Sequence, residues 1–184
     1  MTLLLDTIEI SEKALTEKGF LLLTPHPYLR RAANELAAWL AAKGDVFVLD
    51  GGNSFDAYGI IRVMARRSKS QLSLYLPRIH VARSFTCYQT LTLCTQAKHS
   101  GYPALVLNLT ATFRDENVLY EERSFLFQAC LEELLELQWR VPLVLLESAG
   151  CLKSDSVWVA QLKQTVHQVF YLEQPSAAQQ PTLF

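Results

Sequence analysis

The sequence has no run of about 18 apolar residues, so no membrane-spanning helix is expected. It has no basic excess either: 17 Lys and Arg stand against 18 Asp and Glu, a formal net charge of −1. A dedicated nucleic-acid binder would usually show that excess. Charged residues are scarce at 19%, while 50% of the chain is hydrophobic, which excludes a disordered chain and provides for one sizeable core. No two of the four cysteines form a C-x-x-C pair. Cys87, Cys94, Cys130 and Cys151 lie in apolar or helical contexts, and Cys87 and Cys94 share one helical face. They read as reduced core thiols of a cytoplasmic protein, with no disulfide or zinc site. The four histidines show no metal-ligand spacing, so neither a metal nor a cofactor is expected. The opening MTLLLDTIEISEK lacks a basic segment before its apolar cluster and brings in Asp6 early, a poor secretory signal. No internal repeat or second domain is visible.

What is present is alternation. Residues 1–18 read as an extension: an apolar start, then SEKALTEK over 11–18 as a short helix between a Ser11 cap and Gly19. FLLLT over 20–24 is an unbroken apolar run, a buried strand. Pro25 and Pro27 break it, with His26 as an exposed turn residue between them. Leu29, Ala32, Ala33, Leu36, Ala37 and Leu40 then recur at helical spacing. Further strands are expected at 46–49, 79–82, 104–107, 142–146 and 166–172. Helices are expected at 55–67 with Ser54 as cap, 86–99, 120–139 and 157–163, with a polar loop at 110–117. The Gln/Ala/Pro/Ser stretch over 173–184 reads as a flexible tail.

Strands alternating with helices imply βαβ units, hence an α/β fold in three layers, α/β/α, around a mostly parallel sheet. In such sheets ligands sit at the carboxyl ends of the strands. Residues 24–31, 50–55, 83–88, 108–117 and 147–154 are therefore where chemistry would lie.

Three of those places together carry a resemblance. VFVLDGGNSFD over 46–56 resembles the strand and turn after the first helix of RecA-like and KaiC-like P-loop ATPases. IHVARSFTCYQ over 79–89 resembles their edge strand running into a helix. ALVLNLTATFRDE over 104–116 resembles their Walker B strand and the loop after it. Their order and spacing also fit, and the resemblance spans roughly residues 19–172. It implies a single RecA-like domain over 1–172, including the 1–18 extension.

The family's chemistry requires a phosphate loop, G-x-x-x-x-G-K-S/T, whose glycine backbone closes on phosphate and whose Lys and hydroxyl serve the outer phosphates and Mg²⁺. The equivalent segment is Thr24, Pro25, His26, Pro27, Tyr28, Leu29, Arg30 and Arg31, with no Gly and no Lys. The two prolines remove two backbone donors. The Walker B carboxylate is replaced by Asn108 in the better register, or by Leu107 in the register shifted by one, and neither is a carboxylate. In the turn after the second strand, where the resemblance expects an acid that primes water, stand Gly51 and Gly52. Asp50 remains there and could instead cap the turn. With all three parts absent or altered, a degenerate member without ATP hydrolysis is expected.

Other features have a bland and a sharp reading. Arg30 and Arg31, early in a helix, are solvated residues or the remnant of an anion site. Arg62, Arg66, Arg67 and Lys69 are a solvated helix end or candidate DNA contacts. The acidic pair Asp115 and Glu116, after Arg114, is read as capping the next helix. Glu147 and Ser148 lack the G-x-S-x-G frame of a nucleophile elbow. The helix at 120–139 carries more apolar residues than one stripe, and any surplus would be a partner surface, as would an exposed Trp39, Trp139 or Trp158.

The expectation from the resemblance is a non-catalytic RecA-fold protein that binds another protein, itself or an intact RecA-like ATPase, in DNA recombination or repair. Accessory recombinase paralogues and SulA-like inhibitors fill such roles. The alternatives are a nucleotide-binding protein with a non-standard phosphate site and a single-stranded DNA-binding accessory protein.

Overall fold

The computed structural model describes residues 2–5, 8–11, 19–67, 69–148 and 157–172. Two short strands near the start, β1 (Thr2–Leu5) and β2 (Ile8–Ser11), pair antiparallel. Ser11 thus ends a strand, and the helix expected at 11–18 lies outside the described residues, as does the tail at 173–184.

The main body alternates as the apolar runs dictate. It contains β3 (Phe20–Thr24), α1 (His26–Ala41), β4 (Val46–Asp50) and α2 (Ala57–Arg67). A short helical stretch with α3 (Leu72–Tyr75) leads to β5 (Ile79–Arg83), then α4 (Cys87–Ser100) and β6 (Ala104–Leu107). A 3-10 segment (Leu109–Arg114), α5 (Tyr120–Gln138), β7 (Leu143–Ser148), α6 (Val157–Thr165) and β8 (Gln168–Tyr171) complete it. The six strands β3–β8 form one sheet in the order β5-β4-β6-β7-β3-β8, and every neighbouring pair is parallel.

Side chains alternate across a strand, so each strand supplies both faces. Phe20, Leu22, Val46, Val48, Leu105, Leu107, Val144 and Leu146 pack against α1 and α2. Leu21, Leu23, Leu49, Ala104, Val106, Leu143 and Leu145 pack against α4, α5 and α6. This is the expected three-layer α/β/α fold. Full burial of each such side chain contributes about 1.5–3 kcal/mol. The outer strand β5 is only partly covered, which is why its residues alternate less cleanly. Cys87, Cys94 and Cys130 are buried free thiols, as expected; Cys151 lies outside the described residues. Among the described residues no helix is long and apolar enough to cross a membrane.

Several local expectations are corrected. Pro25 and Pro27 do not make a separate turn. β3 ends at Thr24 and α1 begins at His26, with Pro25 alone between them. Proline's fixed φ suits the first turn of a helix, and its missing N–H is no loss there. His26 is therefore the first residue of a helix. Ser54 does not cap α2. That helix starts at Ala57, and the Asp56 carboxylate accepts the Tyr58 N–H at 3.0 Å. Residues 109–114 are a 3-10 helix, not a loop, because Leu109 and Phe113 are buried. Phe113 meets Phe127 edge-to-face at 4.9 Å, and Phe127 lies 4.9 Å from Trp158. Asp115 accepts the N–H of Asn117 in its own turn and does not cap α5, whose start has no side-chain cap. Of the tryptophans, only Trp139 is exposed; Trp39 and Trp158 are core.

The Thr86 hydroxyl caps α4, accepting the Gln89 N–H at 3.2 Å, while the Gln89 side chain accepts the Phe85 N–H at 2.8 Å. Two donors at the helix start are thereby satisfied. Thr86→Ala should cost about 1 kcal/mol, read from a shifted urea midpoint at unchanged m.

Candidate functional site

Register places the carboxyl ends of five strands in one row. Thr24 lies beside Ser148, Leu23 beside Glu147, and Asp50 beside both Arg83 and Leu107. All are at carboxyl ends, the edge where an α/β sheet offers a ligand site. A groove of about 430 Å³ opens at that edge between the 51–53 turn, Ser84 and Phe85, and the 3-10 segment with Arg114.

Asp50 is fully buried, and its carboxylate closes its own turn. Oδ1 accepts the Ser54 N–H at 2.7 Å; Oδ2 accepts the Phe55 N–H at 2.9 Å and Arg83 Nε at 3.2 Å. Arg83 also donates to the Phe55 carbonyl at 3.0 Å. A charge removed from water needs such partners, and here it has three. The capping reading of Asp50 is the one the geometry supports, and both oxygens are occupied.

Asn108 takes the left-handed conformation, φ 46°, just beyond β6. Its Nδ2 donates to Ser54 Oγ at 2.7 Å, and its Oδ1 accepts the Ser148 N–H at 3.0 Å. The side chain therefore ties the ends of β4 and β7 across β6. A carboxylate there could accept from Ser148 but could not donate to Ser54. Asn108 also explains the two glycines. A Cβ on Gly51 would sit 2.7 Å from the Asn108 carbonyl oxygen, and one on Gly52 would sit 2.7 Å from the Asn108 Cβ. No side chain fits at either position without moving Asn108.

Glu147 drew attention in the sequence only as half of a Glu-Ser pair without a nucleophile-elbow frame, an acid ending an apolar run. It is 1% exposed, and its two oxygens accept the N–H (3.0 Å) and the hydroxyl (2.9 Å) of Thr110. Burial raises its pKa to about 7, against the lowering effect of those bonds and of Arg114. A hydroxyl chain, Ser84–Thr90–Thr112, fills the neighbouring space. Polar atoms at this edge are thus largely bonded to one another.

The phosphate-loop segment is not a loop. One residue separates strand and helix, so no backbone concavity exists between Thr24 and Arg31. Thr24 is buried, with its hydroxyl on the Pro25 carbonyl.

The two basic clusters, separate in sequence, share one place. Arg30 and Arg31 on α1 line a groove with Arg62 and Arg66 on α2, which also takes in Asn34 and Asp56. Arg67 ends α2, and Lys69 follows it in the next short helix. Among the described residues no group of His, Cys, Asp and Glu could hold a metal ion. No protein-family model matches the chain, and no curated protein matches it.

Proposed function

We propose that this is a non-catalytic protein of the RecA-like kind, working in the cytoplasm as an interaction or regulatory partner in DNA recombination or repair. The observation that carries the reading is the closed carboxyl edge. Asp50, Asn108 and Glu147 hold the neighbouring strand ends and turns together, where an ATPase would hold Mg²⁺ and water. A fold kept without that chemistry works through its surfaces. Large apolar side chains that the core does not use lie along and beside α5: Leu119, Phe125 and Trp139, exposed by 72%, 73% and 65%. Exposed aromatics of this kind anchor protein interfaces.

The test mixes the purified protein with the intact RecA-like ATPase of its host. Co-elution in size exclusion and a changed ATPase rate are expected. Phe125→Ser should weaken the complex by about tenfold or more while leaving the far-UV spectrum unchanged. Mg²⁺-dependent ATP hydrolysis by the protein alone would overturn the reading. So would the lack of both self-association and a complex at micromolar concentration.

A further inference from the structure

The groove between α1 and α2 is a strongly charged concavity. It holds about 240 Å³, and four arginines against one aspartate leave three net positive charges in a chain whose total is −1. Asp56 is already engaged. It caps α2, and Arg62 reaches it at 3.5 Å. The backbone N–H of Gly59, then that of Tyr58, and the charges of Arg62 and Arg30 hold its carboxyl below the usual range against the effect of burial.

One of these arginines stands where its own charge is unwelcome. Arg30 lies in the second turn of α1, near the positive end of the helix dipole, and the first turn has neither an acidic residue nor a side-chain cap. The groove also has a polar floor. Asn34 is 4% exposed, lines the cavity, and its Oδ1 has no hydrogen-bond partner. A buried acceptor without a donor is a standing cost that a ligand can remove.

From this we infer that the α1/α2 groove is a binding site for a phosphate group, held by Arg30, Arg62 and Arg66, with Asn34 accepting from a donor on the same ligand. Guanidinium forks match phosphate oxygens in pairs, and three cations converging on a small concavity suit one compact dianion better than a length of backbone. The acceptor at the floor suits a ligand that brings a hydroxyl or amino donor in addition to its phosphate. Such a phosphate can come from a free nucleotide or from the 5′ end of a nucleic-acid strand. The inference stands apart from the proposed role as a protein partner, because neither needs the other.

Calorimetric titrations at low salt with inorganic phosphate, ADP and a single-stranded oligonucleotide with and without a 5′ phosphate would decide it. Binding of ADP, or of the oligonucleotide only when it carries the 5′ phosphate, supports the site and identifies its source. The double variant Arg30→Ala/Arg66→Ala should weaken that binding by about a hundredfold, and Asn34→Leu should weaken ADP more than inorganic phosphate. No binding by any phosphate-bearing probe would overturn the site. So would oligonucleotide binding indifferent to the 5′ phosphate, or an unchanged affinity in a double variant whose thermal melting matches the parent.

Discussion

Asp50→Ala should lower the unfolding free energy by about 3–5 kcal/mol, enough to bring a domain of ordinary stability close to unfolding. The change strands two buried N–H groups, those of Ser54 and Phe55, and takes away the carboxylate partner of Arg83. Asp50→Asn should recover only part of the loss, since its carbonyl can serve one of the two N–H groups while its amide nitrogen faces the other. Arg83→Met should cost less than Asp50→Ala. The Arg83 side chain is 40% exposed, so solvent screens its pairing with Asp50, and Asp50 keeps both backbone donors. Urea denaturation of the three variants gives the ranking. An Asp50→Ala protein as stable as its parent would mean that the carboxylate is not what closes the turn.

The second expected effect is a dependence on pH. Glu147 titrates near 7 in the folded protein, against 4.5 for a free glutamate. The folded state therefore holds this proton where the unfolded chain has released it. Its contribution to stability is full below pH 4.5 and falls as pH rises, reaching its floor above pH 7. The difference across that window is about 3 kcal/mol. Glu147→Gln removes the titration. The variant should show a flatter stability profile between pH 4.5 and 7 than the parent, and the gap between the two curves should change by that amount. Parallel curves would show that Glu147 is ionised at neutral pH and that Arg114 and Thr110 outweigh burial.

The elements that sequence reasoning placed well are those whose signal is local. Runs such as FLLLT over 20–24 and ALVL over 104–107 have no polar face, so they can only be central strands, and the parallel sheet follows from what separates them. The 3-10 helix at 109–114 escaped because its apolar contacts, Leu109 and Phe113, are too few and too irregular to show a period. Asn108 was visible as the place of a missing carboxylate, and Asp50 as a possible turn cap. The structural role of Asn108 was not visible, because its partners lie up to 54 positions away in the chain and meet only when the strands align. The same holds for the arginine groove. Arg30 and Arg66 each look like solvated residues, and only the packing of α1 on α2 sets them around one cavity. The burial of Glu147 had no signal in the sequence: its environment is made by Thr110, which comes from another strand's end.

The one-residue link at Pro25 bears on how this chain could change. A phosphate-binding loop is a length of backbone, with four positions between its glycines before the lysine. Between Thr24 and His26 there is no such length to reshape. Exchanging residues in place, however many, leaves strand and helix joined as tightly as before. Only an insertion could open the gap, and it would have to leave α1 seated on Leu22, Val48 and Leu146. A phosphate-binding loop at this junction is thus excluded by chain length rather than by side chains, and no single substitution creates one.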